Sequence, residues 1–123
     1  MLRELTEDEV EFDLTIEEMD KHPRGFFASD EPELDAQQVA DIIARLERGD
    51  LWAWCTVKVT SSWGGHSASD YLGGCSYESE KDFTSGESDY YADMKAAALA
   101  GLNAKLRNEH EKLKALEVLR VPD

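Results

Sequence analysis

The stretch LWAWCTVKVTSSWGGHSASDYLGGCSY, residues 51–77, decides the fold. Leu51, Ala53, Cys55, Val57 and Val59 alternate with Trp52, Trp54, Thr56, Lys58 and Thr60. That period of two predicts a strand over 51–60, with β-branched and aromatic residues suited to a pleated surface. Trp63-Gly64-Gly65-His66 then reads as a turn, because adjacent glycines supply the positive φ that a tight hairpin needs. The chain returns over Ser67 to Tyr77, where Gly73 and Gly74 mark a bulge or a close approach of another backbone. A three-residue loop at Gly64 to His66 sets Cys55 beside Cys75 across this hairpin.

Outward from the hairpin the periodicity changes. Leu34, Val39, Ile42, Ile43 and Leu46 fall at helical spacing, so a helix is expected over 32–48. Asp30 with Glu33 forms a capping box, Pro32 suits the first turn, and Gly49 supplies a left-handed stop. Val10, Phe12, Leu14 and Ile16 alternate with acids, which predicts a strand over 9–17. The connection from Met19 to Asp30 folds Phe26 and Phe27 back as an apolar anchor. Beyond an acidic loop at 78–89, a long helix starts at Ser88 or Asp89. Met94, Ala98, Leu102, Leu106, His110 and Leu113 form its buried stripe, and Leu116 to Val121 ends the chain as an edge strand or a frayed end. The order β-α-β-β-α gives an α+β fold: a small, mainly antiparallel sheet with two helices on one face. At 123 residues it is one domain, with an acidic region at 1–30 and a core at 31–115. In this arrangement Trp52 and Trp54 point away from the helices, so either other chain segments cover them or they form an interface.

Charge is the other strong signal. The formal net charge is -14, and the first 35 residues hold thirteen acids against Arg3, Lys21 and Arg24. A small domain needs a net charge of only roughly 2 to 8 for solubility. Only the last thirty residues are mildly basic, with six bases and four acids. Direct binding to nucleic acid or an anionic membrane is thereby disfavoured, since phosphate contacts need clustered Lys and Arg. A basic protein partner fits better. No leader-like or membrane-spanning apolar run is present, so a cytoplasmic protein with reduced cysteines is expected.

Catalytic patterns are weak. His22, His66 and His110 with the two cysteines lack metal-ligand spacing, and the acids at 80, 82, 87 and 89 lack the glycine and ligand pattern of a calcium loop. Gly73-Gly74-Cys75-Ser76-Tyr77 only superficially resembles a nucleophile turn, because glycines do not flank the serine. No cofactor, no metal and no enzymatic activity are expected. Glu9, Glu11, Asp13 and Glu17 would instead project from one strand face at steps of about 6.6 Å. With Glu7, Asp8 and Glu18 they form the candidate partner-binding set. Trp52, Trp54 and Trp63 are the alternative interface, through which an accessory module could form a homodimer while the acids serve only solubility.

Three segments carry a resemblance: Leu51 to Thr60, Asp70-Tyr71-Leu72-Gly73-Gly74-Cys75-Ser76-Tyr77-Glu78-Ser79-Glu80-Lys81-Asp82-Phe83, and Tyr90-Tyr91-Ala92-Asp93-Met94. Spanning about residues 40 to 105, they resemble a group of small uncharacterised proteins of bacteriophages and mobile elements. The resemblance implies a genomic setting, in which small acidic proteins resemble inhibitors of host DNA-binding machinery. A nucleic-acid mimic acting in the host cytoplasm is the expectation.

Overall fold

A computed structural model of the chain describes residues 3–19, 23, 32–85 and 90–119. It contains β1 (Glu11–Glu18), α1 (Pro32–Glu47), β2 (Cys55–Trp63), β3 (His66–Cys75), α2 (Glu80–Thr84) and α3 (Tyr90–Leu119). Single 3-10 turns at Glu7–Glu9 and Leu51–Ala53 precede β1 and β2. The strands form one antiparallel sheet in the order β1-β2-β3, which leaves β1 and β3 as edges. The α+β class read from the sequence is the fold observed. The expected caps Asp30, Ser88 and Asp89, the anchor Phe26 and Phe27, and His22 lie outside the described residues.

The hairpin departs from its expected register. Gly64 and Gly65 both have positive φ, 56° and 81°, so the loop has two residues instead of three. Thr60 accordingly faces Ser69, with their hydroxyls 2.7 Å apart, and the Lys58 ammonium lies 5.5 Å from the centre of the Tyr71 ring. This register sets Gly74, not Cys75, opposite Cys55. Gly74 then adopts φ 67°, and the in-out alternation of β3 slips by one residue at that point. Cys75 is thereby returned to the interior, which is the bulge that the paired glycines anticipated. Gly73 does not serve the other anticipated purpose, since the atoms nearest to a Cβ there belong to the Met19 and Thr56 side chains at ordinary contact distances of 3.5–3.9 Å.

Strand β2 also begins later than its periodicity suggested. Residues 51–53 wind into a 3-10 turn, so Trp52 is not a strand residue. Its carbonyl still accepts from Tyr77 N–H at 2.9 Å.

The chain divides into two compact units. One comprises Met1–Asp13, Val59–Asp70 and Ala92–Asp123. Its interior joins Val59, Ser61, Met94, Ala98 and Leu102. The buried Ser61 hydroxyl donates to Ala98 O at 2.8 Å, fastening α3 to β2, and Gly101 lets α3 approach Ala68. The stripe on α3 is buried only through Asn103; Leu106 and His110 are half-buried, while Leu113 and Leu116 are exposed. Residues 116–119 continue the helix, so the expected edge strand does not form there.

The other unit comprises Leu14–Lys58 and Tyr71–Tyr91. Here Ile42, Ala53 and Trp54 are buried together, flanked by Met19 and Leu46. Helix α1 ends at the glycine its sequence promised: Gly49 has φ 85°, Gly49 N donates to Leu46 O and Asp50 N to Arg45 O. This is the paired 5→2 and 6→1 bonding of a Schellman stop. Arg45 clamps the same corner, donating to Asp50 Oδ2 at 2.8 Å and Tyr77 O at 2.6 Å. The segment read as an acidic loop contains α2, capped by Ser79, whose hydroxyl accepts from Asp82 N while the Asp82 carboxylate accepts from Glu78 N. That box turns Phe83 into the interior, fully buried against Trp52, Tyr77 and Tyr91.

Candidate functional site

The carboxylates of β1 stand where the alternation put them. Phe12, Leu14 and Ile16 are half-buried, whereas Glu11, Asp13, Glu17 and Glu18 are exposed. Glu7, Asp8 and Glu9 are exposed too, but on the 3-10 turn before the strand, so Glu9 does not belong to the strand ribbon. Because β1 is an edge strand, these charges also discourage edge-to-edge pairing with other chains.

The acids differ in what already balances them. Arg3 grips Glu9 with a two-pronged pair, both N–O distances being 2.7 Å. Thr6 N–H and Oγ1–H also donate to Glu9 Oε1, each at 3.0 Å. These bonds, the Arg3 bond first, hold the Glu9 carboxyl down at about 2. Glu17 lies 4.0 Å from Lys58 Nζ, and Glu4 pairs with Arg107 at 2.6 Å. Among the described residues, Glu7, Asp8, Glu11, Asp13 and Glu18 have no ion-pair partner.

The approach to this acidic turn is fixed from α3. Leu5 N–H donates to Asn103 Oδ1 at 2.9 Å, and Asn103 Nδ2 donates to Leu5 O at 3.1 Å. Asn103 is 7% exposed, so one nearly buried amide pins the extended segment ahead of Glu7. Sequence reading missed it, since an asparagine amid alanines on a long helix gives no signal of a partner 98 residues away.

The three tryptophans proposed as an alternative interface have separate fates. Trp54 is 3% exposed and packed with Ile42 and Ala53. Trp52 is half-buried, its ring 5.9 Å from Phe83 and 6.5 Å from Tyr77 between centroids. Neither offers a docking face, because the fold uses both rings internally. Trp63 alone is left out, 47% exposed at the end of β2. It lines an open cleft of about 540 Å³ at the hairpin tip, along with Glu9, Glu11, Gly64, Gly65 and His66. The sequence treated Trp63 and the acids as rival interfaces; two of those acids, Glu9 and Glu11, line the same cleft as Trp63.

Cys55 and Cys75 are both buried free thiols. Burial, then the proximity of Cys75 and Asp50, pushes the Cys55 thiol up to about 12. Burial likewise raises Cys75, whose Sγ–H donates to Leu72 O at 3.2 Å. Such thiols act as small hydrophobic groups and not as nucleophiles. Ser76 is exposed beyond the end of β3 and does not sit on a strand-to-helix elbow. Among the described residues no group of three His, Cys, Asp or Glu side chains is placed to hold a metal ion, and no helix is long and apolar enough to cross a membrane.

Comparison with known protein families, with curated proteins and with solved structures finds no match to this chain.

Proposed function

We propose that this is a non-enzymatic binding protein of bacteriophage or mobile-element type, whose acidic surface occupies a basic, nucleic-acid-binding site on a host protein. The observation that carries this reading is the set of exposed carboxylates at Glu7, Asp8, Glu11, Asp13 and Glu18, none with an ion-pair partner among the described residues. A chain could satisfy these charges internally, as it does at Glu4 and Glu9. Unmatched carboxylates on a chain of net charge -14 favour encounter with a cationic groove. Such steering raises association rates roughly 10- to 1,000-fold and fades as salt shortens the screening length to about 8 Å at physiological strength.

The test is capture from nuclease-treated bacterial lysate at rising salt, using the full chain and a variant with Glu7, Glu11 and Glu18 changed to Gln and Asp8 and Asp13 to Asn. A DNA- or RNA-binding protein retained by the native chain at low salt, and lost with the variant, supports the proposal. Equal capture by both chains removes it, as does capture of nothing.

A further inference from the structure

Helix α3 outlasts the core that packs against it. Its last buried side chains are Leu102 and Asn103, and from Glu111 to Glu117 every side chain is exposed. Two of these are leucines: Leu113 and Leu116, 60% and 62% exposed, are the most exposed of the large apolar side chains among the described residues. A helix in a protein gains most of its stability by packing an apolar face, and these final turns bury none.

The leucines are not scattered. Leu106, Leu113 and Leu116 stand at i, i+7 and i+10, the a, a and d positions of a heptad repeat, and so share one stripe of the helix. In that frame Lys112 takes position g and Glu117 the following e, five residues on. In a parallel pair of helices, g of one strand lies beside the following e of the other, and the charges there set partner and orientation. Each copy of this chain therefore presents both halves of the same ion pair.

The charge of the segment fits the same occupant. Lys105 to Glu117 holds four bases and three acids, whereas the whole chain carries -14. Two copies repel wherever their acidic segments meet, and this nearly balanced stretch is where they approach without that repulsion. Glu109 fills the remaining d position and lies 3.8 Å from Lys112 Nζ of its own chain. A polar residue in the seam costs stability and two heptads are few, so the association is weak.

We propose that the turns of α3 from Leu106 to Glu117 are a self-association surface. A second copy packs its own α3 parallel to the first, with Leu113 and Leu116 against their counterparts and Lys112 paired with Glu117 of the other copy. None of these residues belongs to the acidic set, so the inference stands apart from the proposed function. It places on leucines the homodimer contact that the sequence assigned to tryptophans.

The experiment is sedimentation equilibrium of the full chain at physiological salt over about 10 µM to 1 mM, the range of weak specific association, with leucine methyl and indole resonances followed by NMR across the same series. A monomer–dimer equilibrium is expected, in which the Leu113 and Leu116 methyls shift with concentration and the Trp63 indole N–H stays still. Leu113→Ala and Leu116→Ala each weaken association by about tenfold or more, because both copies lose buried apolar groups. Lys112→Glu and Glu117→Lys each weaken it about three- to tenfold, the scale of two exposed ion pairs. An equimolar mixture of these two variants regains most of the native strength, as does the double variant, since a parallel pairing then sets opposite charges at g and e again. All four positions are exposed, and far-UV circular dichroism reports whether each variant keeps its helix.

A chain that stays monomeric up to about 1 mM overturns the inference, as does a dimer indifferent to Leu113→Ala and Leu116→Ala. A mixture of the charge variants that associates no better than either alone overturns the parallel pairing, and concentration-dependent shifts centred on the Trp63 indole return the contact to tryptophan. A leucine-dependent dimer supports the inference whether or not lysate capture succeeds, so the two readings fail separately.

Discussion

Asn103→Ala should loosen the acidic segment without touching a single carboxylate. The Asn103 amide makes both hydrogen bonds to the Leu5 backbone, at 2.9 and 3.1 Å. A typical intramolecular hydrogen bond contributes about 0.5–1.5 kcal/mol net. Two such bonds set a range of about 1–3 kcal/mol, and because Leu5 is half-buried, water recovers part of the loss, placing the expected cost at about 1–2 kcal/mol. Urea unfolding should show a lower midpoint with an unchanged slope, as expected when stability alone has changed. Hydrogen exchange gives the sharper readout: the Leu5 amide should lose protection by about tenfold for each 1.4 kcal/mol. Asn103→Asp separates the two bonds. It keeps an acceptor for Leu5 N–H but turns a carboxylate toward Leu5 O and places a charge at a site 7% exposed, so it should destabilise at least as much as alanine. If Asn103→Ala leaves both the midpoint and Leu5 exchange unchanged, the amide does not hold this segment and the account of how the acidic turn is positioned fails.

Other outcomes follow from the interior. Phe83→Ala removes a fully buried ring from its cluster with Trp52, Tyr77 and Tyr91, and should cost about 3–5 kcal/mol in chemical denaturation. Gly73→Ala meets only an ordinary contact with Met19 and should stay within about 0.5 kcal/mol. Gly74→Ala forces a Cβ into left-handed backbone at φ 67° and should cost about 1–2 kcal/mol by the same assay. The Cys55 thiol, raised from an ordinary 9.0 to about 12, stays protonated in the folded chain while the unfolded chain ionises. Its contribution is therefore full below pH 9 and should drain away between about 9 and 12, seen as falling midpoints in unfolding curves across that window. Iodoacetamide at pH 8 should label neither cysteine in the native protein and both in urea.

Much of this architecture was legible because it is local. The alternation of Val57 and Val59 with Thr56 and Lys58, the paired glycines of the hairpin, and Gly49 at the end of a helical period each specify their backbone through near neighbours. The errors share a cause. One residue of loop length separated the expected register from the observed one, and periodicity cannot count turn residues; only the positive φ of Gly64 and Gly65 does. Phe83 sat in a charged run that read as solvent-exposed, although Ser79 and Asp82 carried a capping signal that could have exposed the short helix.

The amino-acid string by itself determined the fold class, the outward-facing acids of β1 and the excess negative charge, because each depends on composition or on the geometry of a single element. Tertiary structure decided which of those acids are already balanced and which tryptophans are consumed. Arg3 closing on Glu9, Asn103 holding Leu5 from α3, and the sharing of one cleft by Trp63 and Glu11 join residues through space. Electrostatic balance and burial depend on distance in three dimensions, which separation along the chain does not measure.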